Sequence, residues 1–384
     1  MAFRLSCQTR VCEYRNMTDQ LEWHEIGERL RQARLAAGYS QEELGQRIGL
    51  GRTNIAKCET GVRHLNAVEL TRVATALGLP MSYFLTRPPA VLSRRAELVD
   101  EQDTNAARDN FRLDAELGVW LRDVRQLMGF GALRPVAPLR YPETVRDAAA
   151  ARTAALWLRD RLDLAYEPLG TLVEVAEQAG QLLLATDIPG EGASAVDDDV
   201  AVAVISTHPD PARRRATAAH ELGHMLLGDE YSSDLGVHSP RDERERVIDA
   251  FAFEFLVPSR VPGSIIKPHG TIDETRHELI GLAARYRVSW TLVIRQTALS
   301  GVIDDGTQSS LARRVPTRAE FMKAVGWAPQ PDLESVRVPP SVADAVLAAV
   351  QQHRITARRA AELTRGQLSE NDLLGDGDDR WADA

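Results

Sequence analysis

Residues 220–224 read His-Glu-Leu-Gly-His, an H-E-x-x-H motif. Residues four apart lie on the same face of a helix, so His220 and His224 can direct imidazole nitrogens at one metal ion. Zinc held by two histidines and a carboxylate keeps an open position for water. Glu221, beside the metal and not bound to it, can accept a proton from that water. The motif predicts zinc as cofactor, His220 and His224 as ligands, Glu221 as catalytic base, and metallopeptidase chemistry.

The residues around the motif favour this interpretation over an exposed helix with two idle histidines. Small and apolar residues flank the motif on both sides: Ala216, Ala218, Ala219, Met225, Leu226 and Leu227. A helix of this kind is largely buried, and two histidines and a glutamate need partners when they are removed from water. Gly228 is expected to end the helix.

A third metal ligand is expected from a helix further along the chain, which should end before Pro258. One face of that helix is apolar: Ile248, Phe251, Ala252 and Phe255. Glu245 can point from this face toward the motif helix and complete a His-His-Glu site, while Glu243 remains the alternative. In the loop between the helices, Tyr231 and His238 are either solvated or functional, His238 as a substitute ligand or oxyanion donor.

The N-terminal part predicts a series of short helices. The first helix has one apolar face and ends at Gly38. A capping box begins the second helix at Ser40, and the third helix runs from about Arg52 to Glu59 after a glycine-containing turn. A fourth is expected over residues 67–77. This order is typical of a helix-turn-helix domain, whose second helix enters the major groove of DNA.

The segments R-x-x-R-x-x-x-G-x-S-Q-E-E-L, from Arg31, and R-T-N-I-A-K-C-E-T-G, from Arg52, resemble the phage-repressor-like XRE family. The resemblance implies a five-helix domain that binds a pseudo-palindromic operator as a homodimer. It assigns Gln41 and Arg63 to phosphates, and it pairs Arg34 with Glu59 inside the domain. It assigns four residues to bases: Arg52, Thr53, Asn54 and Lys57. The alternative is a small helical bundle whose exposed charges are merely solvated, since similar helix-turn-helix modules also mediate protein contacts.

A second resemblance covers roughly residues 147–304. The segments R-R-R-x-x-x-A-H-E-L-G-H-x-L-L and E-x-x-x-x-x-F-A-x-E-x-L-x-P resemble the ImmA/IrrE zinc metallopeptidases, including members fused to an XRE-like domain. The resemblance implies that His220, His224 and Glu245 bind zinc and that Glu221 is the base. It also implies cleavage of a repressor protein to release its genes, as in stress response. The alternative is a transcription factor whose metal domain senses a ligand or partner and cleaves nothing.

Composition limits the remaining possibilities. The net charge of −9 disfavours nucleic acid as a partner, but between Ile26 and Ala90 basic residues outnumber acidic ones by nine to five. The sequence lacks a signal core or an apolar run long enough for a membrane span, which predicts a cytoplasmic protein with no membrane partner. Cys58 is interpreted as a small buried residue in preference to a redox sensor, and no cysteine is assigned to a metal.

The predicted fold is mainly α, with the five-helix domain followed by an α+β zincin-like domain containing a small sheet. Strands are expected at residues 181–185 and 200–205, with residues 190–199 as a flexible acidic connection and 304–314 as a loop. A strand edge near the metal can hold an extended peptide. The expected divisions are 1–22 (disordered leader), 23–88 (DNA binding), 89–143 (helical linker), 144–304 (metallopeptidase), 305–338 (linker) and 339–384 (helical pair and acidic tail).

Overall fold

A computed structural model of the chain describes residues 22–79, 81–85, 105–228, 241–267, 270–327 and 331–374. The chain divides into two compact units, residues 1–88 and residues 89–384. In the described ranges both are mainly helical, and the second contains a small sheet, as the sequence predicted. The sheet has three strands. Nearly all of the expected disordered leader and acidic tail lies outside these ranges.

The first unit contains five described helices, which confirms the predicted number. They are α1 Trp23–Ala36, α2 Gln41–Ile48, α3 Arg52–Glu59, α4 Ala67–Leu77 and α5 Met81–Leu85. The predicted capping box is present, since the Ser40 hydroxyl accepts from the Glu43 N–H while the Glu43 carboxylate accepts from the Ser40 N–H. Gly49 ends α2 in the left-handed region, with φ of 76°.

A buried ion pair joins the first and third helices. The Arg34 Nε lies 2.6 Å from Glu59 Oε1, and Arg34 Nη2 lies 3.2 Å from Glu59 Oε2. Each side chain is 3% exposed. This geometry confirms the pair that the family resemblance implied, and it fixes α3, the predicted recognition helix, against α1.

The second unit contains thirteen described helices and three strands. The helices are α6 Asn105–Gly129, α7 Ala148–Arg161, α8 Leu172–Gln178, α9 Pro211–Leu227, α10 Arg241–Leu256, α11 Arg260–Ile265, α12 Ile272–Tyr286, α13 Trp290–Leu299, α14 Asp305–Ala312, α15 Arg318–Val325, α16 Pro340–Gln351, α17 Ala357–Leu363 and α18 Glu370–Leu374. The strands are β1 Gln181–Thr186, β2 Gly192–Asp197 and β3 Val200–Ser206.

The sheet has the order β1-β3-β2 and separates two apolar cores. Strand β1 is parallel to β3, β2 is antiparallel to it, and Leu183 and Ser194 both lie opposite Ala203. Helices α7 to α10 contribute to the core on the face that carries Leu183. Helices α6, α16 and α17 cover the other face, where the Trp120 indole donates to the Leu182 carbonyl.

Strand β2 corrects the sequence prediction. Residues 190–199 were expected to be a flexible acidic connection, yet residues 192–197 form the edge strand, and a two-residue turn at Asp198 and Asp199 joins it to β3. The three aspartates, Asp197 to Asp199, lie at or beside this turn, while Glu191 precedes the strand. The strand centre consists of small residues, which give little alternation of polarity and so a weak strand signal.

Helix α6 also differs from its expected role as a linker. Buried residues recur along it at helical spacing: Leu113, Leu117, Trp120, Val124 and Leu127. These side chains pack on the sheet because they form one continuous apolar face. Helix α6 is therefore part of the second unit's core.

Residues 305–338, expected to be a linker, also belong to the fold of the second unit. They contain α14, where a loop was predicted, and α15. The Asp304 side chain caps α14, a local signal that the polar composition concealed. Further on, the buried Asp332 carboxylate accepts from Thr171 Oγ1 and the Leu172 N–H and pairs with Arg215, and the Arg337 backbone forms an antiparallel bridge with Ala185.

Candidate metal centre and DNA interface

Helix α9 presents both motif histidines to one buried site. Pro211 lies in its first turn, and Gly228 ends it with φ of 64°, as predicted. His220 is 4% exposed and His224 is fully buried. Their Nε2 atoms lie 3.0 Å apart. The i, i+4 spacing thus brings the two nitrogens to one point.

A glycine lets α10 approach α9 closely. A Cβ atom added to Gly223 would lie 2.8 Å from Phe251 Cδ1 and 3.2 Å from Ile248 Cγ2, which are tighter contacts than side chains accept. The glycine inside the motif therefore allows the close packing that brings Glu245 to the histidines.

Glu245 completes the cluster. Its Oε2 lies 3.0 Å from His220 Nε2 and 4.0 Å from His224 Nε2, and its side chain is 19% exposed. The three residues place one ligand atom each within 4.8 Å of one another. Glu243, the alternative from the sequence, is exposed on the same helix.

The donor set fits a zinc ion. Ligand atoms of a tetrahedral zinc site with bonds of about 2.0–2.1 Å are about 3.3 Å apart, a value that the observed separations of 3.0, 3.0 and 4.0 Å bracket. Two imidazoles and one carboxylate are the donors of a catalytic zinc site, which leaves a position for water. The residues present are therefore suited to hold the metal that the motif predicts.

Asp249 contacts the outer nitrogen of His220, a contact that the sequence analysis did not predict. Its Oδ1 lies 2.9 Å from His220 Nδ1. A proton on Nδ1, shared with this carboxylate, leaves the lone pair of Nε2 directed at the cluster. The signal in the sequence was the spacing of four between Glu245 and Asp249, which puts both carboxylates on one face of α10.

Glu221 lies on the side of α9 that faces the sheet. It is 1% exposed, and its Oε2 accepts a 2.6 Å hydrogen bond from Ser194 Oγ of β2. Its backbone carbonyl accepts a bond from Gln181 Nε2 of β1 at 3.1 Å. Both partners were missed, Ser194 because its strand was not predicted. Tyr231 and His238 lie outside the described residues.

The predicted base-reading residues lie on the outer face of α3. Arg52, Thr53 and Lys57 are exposed and Asn54 is half-buried, while Ile55 faces the core. The start of α3 therefore presents donors and acceptors at its surface, as a recognition helix does.

The two residues predicted to bind phosphates have partners inside the unit. Gln41 Nε2 donates to Glu59 Oε2 at 2.8 Å, and Arg63 Nη2 lies 2.6 Å from Glu69 Oε1. Arg63 Nη1 also contacts the sulfur of Cys58 at 3.3 Å. Cys58 is 3% exposed, which confirms the prediction of a small buried residue, and burial raises the pKa of its thiol. The amide of Gln41 and the guanidinium of Arg63 each carry more N–H groups than these bonds use.

Comparison with known families agrees with both parts of this geometry. Residues 25–82 match the model of a helix-turn-helix domain, and residues 176–296 match that of an IrrE N-terminal-like domain in the M78 peptidase family. The chain joins a helix-turn-helix domain to an IrrE N-terminal-like domain. Both resemblances inferred from the motifs are thereby confirmed.

Three transcriptional regulators are similar to a small part of the chain. An uncharacterized transcriptional regulator in the ATPase CF(0) region of Rhodospirillum rubrum is 39% identical over 61 residues, 16% of this chain and 56% of that protein. Uncharacterized HTH-type transcriptional regulators of Sinorhizobium medicae (strain WSM419) and Rhizobium meliloti (strain 1021) are 34% identical over 64 residues, 17% of this chain and 46% of each. The match therefore spans about half the length of these relatives. No solved structure matches the chain.

In the described part of the chain, no helix combines sufficient length with sufficient apolar character to cross a bilayer.

Proposed function

We propose that the protein is a transcriptional regulator with a zinc-dependent endopeptidase domain that cleaves a repressor protein and so derepresses its genes. The observation that carries this proposal is the convergence of His220, His224 and Glu245, together with the buried carboxylate of Glu221 on the residue that follows His220. A site that only bound metal would need the three ligands and not the fourth side chain.

The four side chains divide into two roles. His220, His224 and Glu245 would hold the zinc ion, which when bound polarises water and a peptide carbonyl. Glu221 is the residue after a ligand, about 100° around the helix, and its carboxylate would accept the proton of the attacking water and pass it to the leaving amine.

The sheet supports a peptide substrate. An extended peptide adds to an exposed strand edge through backbone hydrogen bonds. The outer edge of β1 carries the bridge between Ala185 and Arg337, whereas β2 is the other edge of the sheet and contacts Glu221 through Ser194. We therefore expect the scissile peptide to lie along β2, next to the base.

The helix-turn-helix domain would direct the protein to DNA. We expect a homodimer on a pseudo-palindromic operator, with Arg52, Thr53, Asn54 and Lys57 at the bases and Gln41 and Arg63 at phosphates. Because this function needs access to the chromosome, we expect a cytoplasmic protein.

The decisive experiment uses the full-length protein, its metal content and repressors encoded beside its gene. E221Q is nearly isosteric but far less basic, so it should keep zinc and operator binding and lose cleavage. E245A should lose zinc and cleavage, while E243A should lose neither. If E221Q regulates the target genes as the parent does, the metal domain is a sensor, and if E243A instead of E245A releases zinc, the third ligand is Glu243.

DNA recognition needs a separate test. R52A and N54A should each cost about 1–3 kcal/mol of operator binding and reduce the preference for operator over random duplex. R72A removes a similar charge from an exposed position on α4 and should leave that preference intact. Equal loss of preference in R52A and R72A would contradict the assignment of α3 to the major groove.

A further inference from the structure

A fully buried hydroxyl on β2 contacts the proposed catalytic base. Ser194 is 0% exposed, and its neighbours in the strand, Ala193 and Ala195, are also buried. Burying a hydroxyl among apolar side chains costs free energy unless the hydroxyl is hydrogen-bonded. An alanine would fill the same space without this cost. The Ser194 hydroxyl donates to Glu221 Oε2 at 2.6 Å, which accounts for its presence.

Backbone packing fixes the distance between the two residues. Gly192 and Ser194 point to the same face of β2, and Thr217 and Glu221 lie on the same face of α9. A Cβ atom at Gly192 would lie 2.7 Å from Thr217 Cγ2, so the glycine permits strand and helix to meet one turn before Glu221. Two residues further along β2 and one turn further along α9, Ser194 contacts Glu221.

A second buried polar side chain holds the backbone of the same residue. Gln181 is 0% exposed in β1, and its Nε2 donates to the Glu221 carbonyl oxygen at 3.1 Å. Two strands of an otherwise apolar sheet face therefore contribute polar side chains to Glu221, one to its carbonyl and one to its carboxylate.

We propose that Ser194 is a positioning residue that holds Oε2 of Glu221 and so keeps the carboxylate in one orientation beside the metal site. This inference rests on the proposed function, because it assigns Ser194 a part in the same reaction. A base held by a fixed donor meets the attacking water without first reorienting. Removing the hydroxyl should therefore slow the chemical step and leave substrate binding and zinc affinity unchanged.

The test compares S194A and S194T with the parent as full-length zinc proteins. S194A should lower kcat about 10- to 100-fold with KM and zinc content unchanged, and S194T, which restores a hydroxyl, should recover most of kcat. S206A is the matched control, since Ser206 is also fully buried in the sheet but accepts from the His208 N–H. S194C, close in shape but a weak donor, replaces S194A if the alanine variant does not fold.

One further measurement separates this inference from the proposed function. A crystal structure of the parent should show the Glu221 carboxylate hydrogen-bonded to Ser194. A crystal structure of S194A should show the same carboxylate in a different orientation. If the parent cleaves no repressor, the proposed function fails, and the crystal structures alone decide whether Ser194 positions the Glu221 carboxylate. An unchanged Glu221 orientation in S194A, or parental kcat in S194A, overturns the inference.

Discussion

At the scale of single residues, the two nitrogens of His220 have different partners. Nδ1 lies 2.9 Å from Asp249, and Nε2 faces Glu245 and His224. A carboxylate behind a metal-binding histidine fixes the orientation and tautomer of the ring and raises its basicity. Asp249 should therefore contribute to zinc affinity without touching the metal.

We expect D249A to weaken zinc binding about 10- to 100-fold, because the ring of His220 loses its fixed tautomer and orientation. D249N, whose side-chain oxygen can still accept from Nδ1, should lose less. Competition with a chromophoric chelator measures both affinities. E243A removes an exposed carboxylate from the same helix and is the control. Equal zinc affinity in D249A and E243A would exclude this role.

At the scale of elements, the separation of α9 and α10 determines whether the third ligand reaches the site. Gly223 lies against Phe251 and Ile248 of α10, so there is no room for the methyl group that an alanine would add at this position. Interiors are packed closely enough that such an addition moves the backbone or strains a side chain.

G223A should lower the free energy of unfolding by about 1–3 kcal/mol through this overpacking, and it should weaken zinc binding as α10 moves away. G281A is the matched control, because a Cβ there meets nothing within 4 Å and Gly281 lies inside α12. That change should stabilise the protein by about 0.5–1 kcal/mol. Urea unfolding with zinc titration tests both variants, and a stability gain in G223A would show that the helices are not in close contact.

At the start of α15, Glu320 makes the stability of the protein depend on pH. The Thr317 backbone N–H and, after it, the Arg276 guanidinium lower the pKa of Glu320 from 4.5 to about 2. A carboxyl group whose pKa is depressed by folding stabilises the folded state above its unfolded pKa and loses that effect as the pH falls. The contribution of Glu320 should be complete above pH 4.5 and vanish toward pH 2.

E320Q should therefore be less stable than the parent near neutral pH, and the difference should shrink as the pH falls from 4.5 to 2. Urea unfolding at a series of pH values measures it. Other carboxyl groups whose pKa values are also lowered, such as Glu274 and Asp304, contribute equally to the stability of parent and variant, so their effect cancels in the difference. A difference that stays constant over this range would mean that Glu320 does not stabilise the folded state as a carboxylate.

At the scale of the whole molecule, the chain consists of two units, each with its own buried apolar residues and a buried ion pair. Arg34 pairs with Glu59 in the first, and Arg215 pairs with Asp332 in the second. Burial lowers the pKa of Arg215 to about 10, which still leaves it charged at neutral pH. Removing one partner of such a pair leaves an uncompensated buried charge.

R34A should destabilise the first unit by about 3–5 kcal/mol and abolish operator binding, while the zinc content of the full chain stays at the parental value. R31A is the control on the same helix, since its pair with Glu28 is well exposed and should be worth about 1 kcal/mol or less. Thermal unfolding, operator binding and metal analysis are the measurements. Loss of zinc in R34A would show that the two units do not fold independently.

Local signals in the sequence determined much of this protein. Helical spacing placed His220 and His224 on one face of a buried helix, Gly228 ended that helix, and the capping box at Ser40 opened the second helix of the DNA-binding domain. These features depend on contacts within a few residues, so the sequence carries them directly. The pairing of Arg34 with Glu59 came instead from the family pattern, which records a distant contact that spacing alone does not reveal.

Tertiary packing decided the rest. The close approach of α10 to α9 brings Glu245 and not Glu243 to the histidines, and it brings Asp249 to His220. The pairing of β2 with β3 brings Ser194 to Glu221, although nothing in its small residues marks the strand. Gln41 and Arg63 find their carboxylate partners only once the helices are assembled. Such contacts join segments far apart in the chain, and only the packing of complete helices and strands determines which side chains meet.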